Sequence, residues 1–329
     1  MILVTGGAGY IGSHVVKALI MKKYQVIVID NLSTGNQEAI DSKAIFVNGD
    51  VRNPKDLEKI FSKYSVRAVM HFAANAYVGE SVEKPAKYYS NNVNGMIALL
   101  KMMVQYHVKN IVFSSSCAVY GKPPCKIINE NTPAMPINPY GWTKLIGEQL
   151  LKDFSSSYSL KYIALRYFNV AGAIGSGELG EDHTPETHLI PNILKHLLGE
   201  TKKIFVFGND YETKDGTCIR DYIHVTDLGN AHLLALEALL DNRVANRIYN
   251  VGNEKGISVN EIIKMCETIT GRKAAVEYAK RREGDPPALI ASAELLKREF
   301  NWKAQFDLKD MIESAWQWFL HHPTGYKKI

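Results

Sequence analysis

The stretch Ile2-Leu3-Val4-Thr5-Gly6-Gly7-Ala8-Gly9-Tyr10-Ile11-Gly12 decides the fold of this chain. Its apolar, β-branched start predicts a buried strand at Ile2–Thr5, and the residues after it predict a helix at 13–22. Glycines between the two let the backbone turn tightly and approach a pyrophosphate, and the helix N-terminus offers free N–H groups to the phosphate oxygens. In this strand–loop–helix context, the pattern G-x-G-x-x-G from Gly7 to Gly12 indicates a dinucleotide site.

Asp30 closes the next predicted strand, at 25–30. An acid about 20 residues beyond the glycine loop accepts hydrogen bonds from the adenosine ribose of NAD, whereas it would repel the 2′-phosphate of NADP. Neither neighbour of Asp30 is an arginine that could offset this repulsion. The sequence therefore predicts that the dinucleotide is NAD.

Apolar strands alternate with helices through the first half of the chain. The pattern predicts further strands at 44–47, 66–72, Asn110–Ser114 and 162–166, and helices at 92–105 and 138–154. Continuous apolar strands that alternate with helices are typical of a parallel sheet covered on both faces. We therefore predict an α/β fold with a Rossmann-type, doubly wound parallel sheet.

The alternation weakens after Asn169, which predicts a second, smaller domain of mixed α/β structure that binds the substrate. Residues 172–187 are rich in Gly, Glu and Thr and are predicted to form a loop that covers a site. A capping box at 258–261 predicts a helix through Met265. The predicted division is 1–171 for NAD binding and 172–329 for the substrate, with strand-like segments at 218–225 and 248–251 as candidates to return to the first domain.

Tyr140 and Lys144 stand four residues apart, just after Asn138 and Pro139. Asparagine is a good N-cap and proline suits the first helical position, so a helix is predicted to begin here. Residues i and i+4 share a helix face, and an ammonium beside a phenol favours the phenolate, the form that a general base needs. An ordinary surface pair has the same spacing, but the position downstream of a dinucleotide loop favours catalysis.

Three serines, Ser114, Ser115 and Ser116, follow the apolar residues of the strand predicted at Asn110–Ser114. The carboxyl ends of the strands line the ligand crevice of a doubly wound sheet, so a hydroxyl there can hydrogen-bond a substrate oxygen. A polar loop that caps the sheet edge is the alternative, and the spacing does not distinguish the three serines.

Composition excludes several classes of protein. The 329 residues are 46% apolar and 22% charged, as in globular proteins and unlike disordered chains, collagens or coiled coils. The net charge of +5 is not clustered, so no nucleic-acid partner is predicted. The four cysteines form no C-x-x-C pair, so neither a disulfide framework nor a metal site is predicted. No apolar run approaches the roughly 20 residues of a membrane span and no secretory signal is visible, which predicts a cytoplasmic protein without a membrane partner.

Together these features resemble the extended short-chain dehydrogenase/reductase superfamily and, within it, the UDP-glucose (UDP-galactose) 4-epimerases, over essentially the whole chain. The glycine loop and the Tyr-x-x-x-Lys pair are shared across the superfamily. The narrower resemblance rests on Asp30-Asn31-Leu32, Gly49-Asp50-Val51-Arg52, His71-Phe72-Ala73-Ala74, Val78-Gly79-Glu80-Ser81, Asn91-Asn92-Val93-Asn94-Gly95, the segment from Ser114 to Gly121, Arg166-Tyr167-Phe168-Asn169, Phe207-Gly208-Asn209-Asp210-Tyr211, Arg220-Asp221-Tyr222-Ile223-His224-Val225 and Arg281-Arg282-Glu283-Gly284-Asp285.

The resemblance implies a role for each matching residue. It implies catalysis by Ser116, Tyr140 and Lys144. It implies NAD binding by Gly6, Gly9, Tyr10, Ile11, Gly12, Asp30, Asn31, Asp50, Val51, Phe72, Ala73, Asn91, Ser114, Tyr140, Lys144 and Phe168. It implies binding of a UDP-hexose by Ser116, Tyr140, Asn169, His188, Leu189, Phe205, Phe207, Arg220, Arg282, Asp285 and Leu289.

The implied reaction inverts the C4 hydroxyl of a UDP-hexose. UDP-galactose and UDP-glucose would interconvert through a 4-keto sugar, with transient reduction of bound NAD, in galactose metabolism. Leu289 stands where some members of the family carry a tyrosine, and leucine leaves more room beside the sugar C2, so the N-acetylated counterparts are predicted substrates too. The helices at 92–105 and 138–154 resemble those that pair in family dimers, which implies a homodimer.

Two alternatives remain open at this point. A nucleotide-sugar dehydratase or dehydrogenase belongs to the same superfamily, but a dehydratase typically carries an Asp-Glu pair after the serine, where this chain has Cys117-Ala118. A non-catalytic NAD-binding protein usually lacks the tyrosine that Tyr140 supplies. The chain also departs from the family pattern at Ala76, where many members carry a lysine, and at 187–191, where Thr-His-Leu-Ile-Pro replaces an Asn-Asn-Leu type segment.

Overall fold

The order of strands and helices follows the predicted alternation in the first half of the chain. The computed structural model describes residues 1–282 and 285–326. The elements of these residues are β1 (Ile2–Thr5), α1 (Tyr10–Met21), β2 (Val26–Asp30), β3 (Ile45–Asn48), α2 (Pro54–Lys63), β4 (Ala68–His71), α3 (Val78–Glu83), α4 (Pro85–Tyr88), α5 (Gly95–Gln105), β5 (Asn110–Ser114), β6 (Ile127–Ile128), α6 (Pro139–Tyr158), β7 (Lys161–Tyr167), β8 (Asn169–Ala171), α7 (Leu189–Leu198), β9 (Ile204–Phe207), β10 (Ile219–His224), α8 (Val225–Leu240), β11 (Arg247–Val251), β12 (Gly256–Ser258), α9 (Val259–Thr270), β13 (Val276–Ala279), β14 (Ala288–Ala291), α10 (Glu294–Phe300) and α11 (Leu308–His321).

The chain divides into two units, and it passes between them several times. Unit 1 comprises Met1–Gly121, Ala134–Arg166 and Gly229–Tyr249, and unit 2 comprises Lys122–Pro133, Tyr167–Leu228 and, within the described residues, Asn250–Ile329. The sequence pattern placed one main boundary at residue 172. The segment of β6 lies outside that scheme because it pairs with β14. Of the two candidate segments, 248–251 lies in β11 beside β7, whereas 218–225 contains β10 of the five-stranded sheet.

Unit 1 is built on a seven-stranded sheet of order β11-β7-β5-β4-β1-β2-β3. The pairings from β7 to β3 are parallel. The chain adds β2 and β3 on one side of β1 and then β4 and β5 on the other, so the strand order reverses at β1. Ligands bind at such a reversal, beyond the carboxyl ends of the strands. The sheet confirms the predicted Rossmann-type, doubly wound fold.

Local sequence accounts for how this sheet meets its helices. Gly6 has a φ of +72°, and a Cβ on it would lie 2.5 Å from the backbone nitrogen of Ala73. Only glycine therefore lets the loop after β1 approach the chain after β4 this closely. The first helix begins at Tyr10, earlier than the predicted residue 13, with Gly9 as its N-cap. The helix predicted at 92–105 is α5 preceded by a π-helical turn at Tyr89–Asn94.

Apolar residues of α2 and α5 pack on one face of the sheet. Leu57 and Leu99 are fully buried in one cluster with Leu3, Ile27 and Ile111 of three strands. Burial of each such side chain stabilises the fold by roughly 1.5–3 kcal/mol before entropy losses. This core keeps the strand ends in place at the edge where the glycine loop lies.

Unit 2 contains a mixed five-stranded sheet and a two-stranded parallel sheet. The larger sheet has the order β12-β10-β14-β6, with β8 also paired to β10, and the smaller joins β13 to β9. Strand β10 is antiparallel to β12 but parallel to β14 and β8. Helices α7, α9 and α11 share an apolar core that includes Ile193, Ile262 and Trp318. The predicted capping box is confirmed at Ser258 and Glu261, and α9 runs on to Thr270.

Asp221 ties together three segments of unit 2. Its fully buried carboxylate accepts hydrogen bonds from the backbone N–H of Asn253 (2.8 Å), Glu254 (3.0 Å) and Ala291 (3.0 Å). Burial raises the pKa of Asp221 to about 7, although the three N–H donors act to lower it.

In the described part of the chain, no helix combines the length and apolar character that a bilayer crossing demands.

Candidate active site

A cavity opens at the carboxyl ends of β1, β2 and β4 in unit 1. Most of its lining comes from the glycine loop and the residues that follow these strands: Gly6, Gly9, Ile29, Asp30, Asn31, Ser33, Thr34, Gly35, Gly49, Val51, Phe72, Ala73, Ala74, Asn75 and Asn91. Eight of the residues predicted to bind NAD therefore line one cavity, among them Gly6, Gly9, Asp30 and Asn31. Three more, Tyr10, Ile11 and Gly12, form the first turn of α1 beside it.

The carboxylate of Asp30 spans the mouth of the glycine loop. Its Oδ2 accepts a hydrogen bond from the backbone N–H of Ala8 at 3.0 Å, and its Oδ1 accepts one from Leu32 at 2.9 Å. Burial raises the pKa of Asp30, although the two N–H donors act in the opposite direction. The glycine cradle and this fixed acid are the groups that the pyrophosphate and the ribose of a dinucleotide require.

Asp50 follows β3 at the same edge of the sheet. Its carboxylate accepts hydrogen bonds from the guanidinium of Arg52 (2.9 and 2.5 Å) and from the side-chain amide of Asn31 (3.0 Å). The hydrogen bonds from Arg52 lower the pKa of Asp50 to about 2. The oxygens of Asp50 therefore organise Asn31, while the buried Val51 lines the cavity itself.

One ring contact and two side-chain hydrogen bonds hold the residues of this cavity wall in place. The Phe72 ring packs on His232, with ring centroids 4.8 Å apart. Asn91 donates a hydrogen bond to Asn92 Oδ1 at 3.0 Å, and Asn92 donates to Thr143 Oγ1 at 2.9 Å. The cavity wall is thus connected to helix α6.

Tyr140 lies in the first turn of α6, as the sequence predicts. Asn138 caps the helix by accepting a hydrogen bond from the N–H of Gly141 at 2.8 Å, and Pro139 is the first helical residue. A Cβ on Gly141 would lie 2.5 Å from the carbonyl oxygen of Ala118. The start of α6 therefore packs directly against the 3-10 turn at Cys117–Tyr120, and Tyr140 is buried beside it.

Lys144 is buried one helical turn further on. Its Nζ donates a hydrogen bond to the carbonyl oxygen of Ser114 at 2.7 Å and lies 5.8 Å from the centroid of the Tyr140 ring. Burial lowers the pKa of Lys144 to about 7, although Glu148 acts in the opposite direction. Lys144, Tyr140 and the end of β5 are therefore brought together by the fold.

Ser116 caps the 3-10 turn that follows β5. Its Oγ accepts a hydrogen bond from the N–H of Ala118 at 3.1 Å, and the residue is 7% exposed. The three consecutive serines have different environments: Ser114 is the last residue of β5, and the Ser115 hydroxyl donates to Glu148 at 2.6 Å. Only Ser116 presents its hydroxyl at the head of the turn that packs on Tyr140.

Glu148 and Arg166 form a buried ion pair next to these residues. This pair was not predicted from the sequence. The guanidinium donates to the two carboxylate oxygens at 2.8 and 2.6 Å, and the side chains are 6% and 0% exposed for Arg166 and Glu148. Arg166 also donates to the hydroxyl of Tyr120 at 3.0 Å. Burial by itself would lower the pKa of Arg166, but the hydrogen bonds and charge of Glu148 have the larger combined effect. The pKa of Arg166 is therefore raised. The only sequence signal was the i, i+4 spacing of Glu148 from Lys144.

In unit 2, Arg220 and Asp285 lie together at the start of β10. The Arg220 guanidinium is 3.1 Å from the Asp285 carboxylate and donates to the carbonyl oxygens of Ile219 (2.8 Å) and Pro286 (2.9 Å). Leu289, half-buried, pairs with Arg220 in the register of β10 and β14. Asn169, in β8, donates to the carbonyl oxygen of Asp221 at 3.0 Å. Three predicted substrate residues, Asn169, Arg220 and Leu289, thus belong to one sheet, and Asp285 is paired with one of them.

Arg282 and the two phenylalanines form a second group in unit 2. The Arg282 guanidinium lies 4.2 Å from the ring centroid of Phe207, and Phe205 and Phe207 are the exposed residues of β9. The motif residues Glu283 and Gly284 lie outside the described part of the chain. A cation beside an exposed aromatic face can hold a phosphate and stack a planar base.

The remaining predicted residues of unit 2 are Phe168, His188 and Leu189. Phe168 is buried and bonded through its N–H to Val251, so the structure assigns it to unit 2, whereas the other predicted NAD-binding residues are in unit 1. His188 is the N-cap residue of α7 and Leu189 its first residue. The His188 side chain is exposed, and the carboxylates of Glu181 and Glu186 raise its pKa to about 10.

Comparison with known proteins indicates the same kind of site. Residues 2–252 match the family described as NAD dependent epimerase/dehydratase. The chain is similar to the UDP-glucose 4-epimerase of Halalkalibacterium halodurans, with 50% identity over 326 residues that cover 99% of this chain and 97% of that protein.

Two solved structures have similar folds. One is the UDP-glucose 4-epimerase from Brucella ovis in complex with NAD, with a TM-score of 0.93, 49% identity, and coverage of 96% of this chain and 97% of that one. The other is the UDP-Glc/GlcNAc 4-epimerase from Campylobacter jejuni, with a TM-score of 0.85, 39% identity, and coverage of 97% and 99%.

Proposed function

The chain belongs to the NAD dependent epimerase/dehydratase family, and from this premise we propose that it is an NAD-dependent UDP-hexose 4-epimerase that interconverts UDP-galactose and UDP-glucose. The observation that carries this proposal is the buried pair Tyr140 and Lys144 at the start of α6, in the same unit as the glycine cradle. Sugar oxidation and reduction at one carbon need a proton acceptor of this kind beside a nicotinamide site.

Each reacting residue has one task in this proposal. Tyr140 takes the proton of the sugar 4-hydroxyl and returns it to the 4-oxygen when the keto sugar is reduced, while Ser116 hydrogen-bonds the same oxygen. Lys144, fixed by the carbonyl of Ser114, stabilises the ionised form of Tyr140 by its charge. Bound NAD supplies reversible hydride chemistry at C4. In unit 2, Arg220 and Arg282 hold the diphosphate, since guanidinium groups bind phosphate oxygens bidentately.

A dehydratase is the second candidate and is disfavoured by the 3-10 turn after Ser116. Elimination of water needs an additional acid and base, and the residues at the head of this turn are Cys117 and Ala118. A non-catalytic NAD-binding protein is disfavoured by the buried, hydrogen-bonded Lys144 beside Tyr140. Burial of a lysine side chain is costly, and a protein without catalytic activity does not need one at this position.

We expect the purified protein to carry NAD and to convert UDP-galactose without added nicotinamide, because the cycle has no net redox change. The product is measured by NMR, and the retained cofactor is released by denaturation and quantified. Tyr140→Phe, which should keep NAD, serves as the inactive control. Accumulation of free NADH would indicate a dehydrogenase, and loss of water from the sugar a dehydratase; either result rejects the proposal.

We propose that N-acetylated UDP-hexoses are substrates as well, and that Leu289 permits this. Its half-buried side chain stands opposite Arg220 in the sheet register, and leucine leaves more room than tyrosine beside the sugar C2. The Campylobacter jejuni neighbour named as a UDP-Glc/GlcNAc 4-epimerase supports the proposal.

We therefore expect Leu289→Tyr to abolish turnover of UDP-N-acetylglucosamine and largely to spare UDP-glucose, as measured by kcat/KM for each. Leu289→Met, which nearly conserves the volume, should leave both rates close to those of the wild type. Equal losses on the two substrates, or no wild-type turnover of the N-acetylated one, would contradict this role. The homodimer implied by the resemblance and the cytoplasmic location expected from the lack of a visible secretory signal stay predictions, and sedimentation tests the former.

A further inference from the structure

Two histidines and two glutamates converge in the segment that leads into α7. Single side-chain donor atoms of Glu181, His183, Glu186 and His188 all lie within 4.8 Å of one another. His183 Nδ1 and His188 Nδ1 are 3.1 and 2.6 Å from Glu181 Oε1, and His188 Nδ1 is 3.2 Å from Glu186 Oε1. The pattern Glu-x-His-x-x-Glu-x-His lies within eight consecutive residues. No metal site was predicted from the sequence, because that prediction considered only the spacing of the cysteines.

Glu186 carries a buried oxygen for which the described residues supply no hydrogen bond. Its side chain is only 5% exposed, and Oε1 accepts hydrogen bonds from the backbone N–H groups of Thr187 (2.7 Å) and His188 (2.8 Å). Oε2 accepts none within the described chain and lies 3.8 Å from His183 Nδ1. A buried carboxylate oxygen without a donor is costly, and a cation held jointly with the histidines would compensate for it.

The backbone that carries the cluster is held from both sides. Trp318 Nε1 donates to the carbonyl oxygen of Glu181 at 3.2 Å, and the Tyr326 hydroxyl accepts a hydrogen bond from the N–H of Gly180 at 3.0 Å. At the other end, His188 is the N-cap residue of α7. The donor atoms are therefore presented by a segment anchored at each end, as a preorganised ligand set requires.

We propose that Glu181, His183, Glu186 and His188 bind one structural Zn²⁺ ion that fastens the loop after β8 to the start of α7. Imidazole nitrogens with carboxylate oxygens are a ligand set that Zn²⁺ accepts, with four ligands in tetrahedral geometry at about 2.0–2.2 Å. Such a geometry separates neighbouring ligand atoms by about 3.4 Å. The separations of 2.6–3.8 Å between the Nδ1 atoms and the carboxylate oxygens bracket this value. Other ligand atoms of the set, up to 4.8 Å apart, would move together by side-chain rotation.

This site is separate from the chemistry proposed for Tyr140. The resemblance assigned His188 to the substrate, whereas the structure turns its Nδ1 towards Glu181 and Glu186. The Zn²⁺ proposal does not depend on the epimerase proposal, because it is tested by metal binding alone.

The test measures metal binding by the full-length protein after removal of metals with a chelator. We expect one equivalent of Zn²⁺ to bind, and Co²⁺ to give the strong visible absorption of a tetrahedral site. His183→Ala/Glu186→Gln should weaken Zn²⁺ binding by at least about 100-fold. The matched control, His107→Asn/Glu58→Gln, removes one exposed histidine and one exposed glutamate from unit 1, and it should bind as the wild type does. Asparagine suits the positive φ of residue 107.

A thermal readout shows whether the double variant folds. Zn²⁺ should raise the Tm of the wild type and of the control but not that of His183→Ala/Glu186→Gln. Sub-stoichiometric binding by the wild type, equal affinity in wild type and double variant, or a Co²⁺ spectrum without tetrahedral absorption would each overturn the proposal and leave a metal-free cluster of ion pairs. If the double variant fails to fold, Glu186→Gln alone is compared in the same way.

Discussion

We expect Tyr140→Phe to lower kcat for UDP-galactose by at least about 10²–10⁴-fold, because general base catalysis contributes on that order. The substitution removes only the oxygen that accepts the sugar proton. The buried ring remains in place beside Lys144, whose Nζ lies 5.8 Å from the ring centroid. Folding and NAD retention should therefore be unchanged, and single-turnover kinetics should place the loss in the chemical step.

Tyr106→Phe provides the matched control. This tyrosine belongs to the same unit, stacks on Phe61 with ring centroids 5.8 Å apart, and has no place in the proposed mechanism. Its loss of one hydroxyl should leave kcat within about twofold of the wild type, since the ring stays in place and the residue has no part in the proposed site. If Tyr140→Phe retained near-full turnover at neutral pH, another group would have to be the base.

Glu148→Ala should destabilise the protein by about 3–5 kcal/mol, because it leaves the buried guanidinium of Arg166 without its counter-ion. Arg166 would keep only the Tyr120 hydroxyl among the hydrogen bonds found here, and the Ser115 hydroxyl would lose its acceptor. A loss of this size corresponds to a fall in Tm of about 10 °C for a unit of this length. Thermal unfolding followed by circular dichroism measures it.

Three further variants separate the buried charge from other effects. Glu58→Ala, on the exposed face of α2, should change the free energy of unfolding by less than about 0.5 kcal/mol. Glu148→Gln should fall between wild type and Glu148→Ala, because the amide oxygen still accepts one hydrogen bond. Glu148→Leu/Arg166→Met removes both charges and should recover much of the loss. A Tm for Glu148→Ala within 2–3 °C of the wild type would show that the pair is not structurally important.

Glu148 is also expected to influence Lys144, four residues earlier on α6. Its charge opposes the effect of burial on the pKa of Lys144, which is about 7. In the cofactor-free protein, the ammonium is therefore present below pH 7 and is lost as the pH rises above it. Because the pKa of Lys144 is lowered by folding, the folded state binds fewer protons than the unfolded chain between about pH 7 and 10.5, and this group makes folding more favourable as pH rises through that window.

The features that the sequence predicted correctly depend on neighbouring residues. The glycine loop, the Asn138 cap, the Tyr140–Lys144 face and the Ser258 capping box each need residues within a few positions of one another. The alternation of apolar strands with helices predicted the doubly wound sheet for the same reason, since burial on both faces leaves a continuous apolar run in each strand.

Other features were settled only when distant segments met. Glu148 and Arg166 are 18 residues apart, and Asp221 accepts hydrogen bonds from residues 32 and 70 positions away. Lys122–Pro133 joins unit 2 because a two-residue strand pairs with β14, and so short a strand carries no periodic pattern. The roles of three identical serines likewise depended on which of them ended the strand, contacted Glu148 or capped the turn.

The sequence by itself determined the glycine loop, the parallel sheet and the residue types of the proposed reaction, because glycine conformations, helix caps and apolar periodicity are local properties of the chain. Only the tertiary structure decided which polar groups are buried together. It decided that Lys144 bonds to Ser114, that Arg166 pairs with Glu148, and that one oxygen of Glu186 has no donor among the residues described. Burial and pairing set the energies of charged groups, and both depend on side chains that the fold alone brings into contact.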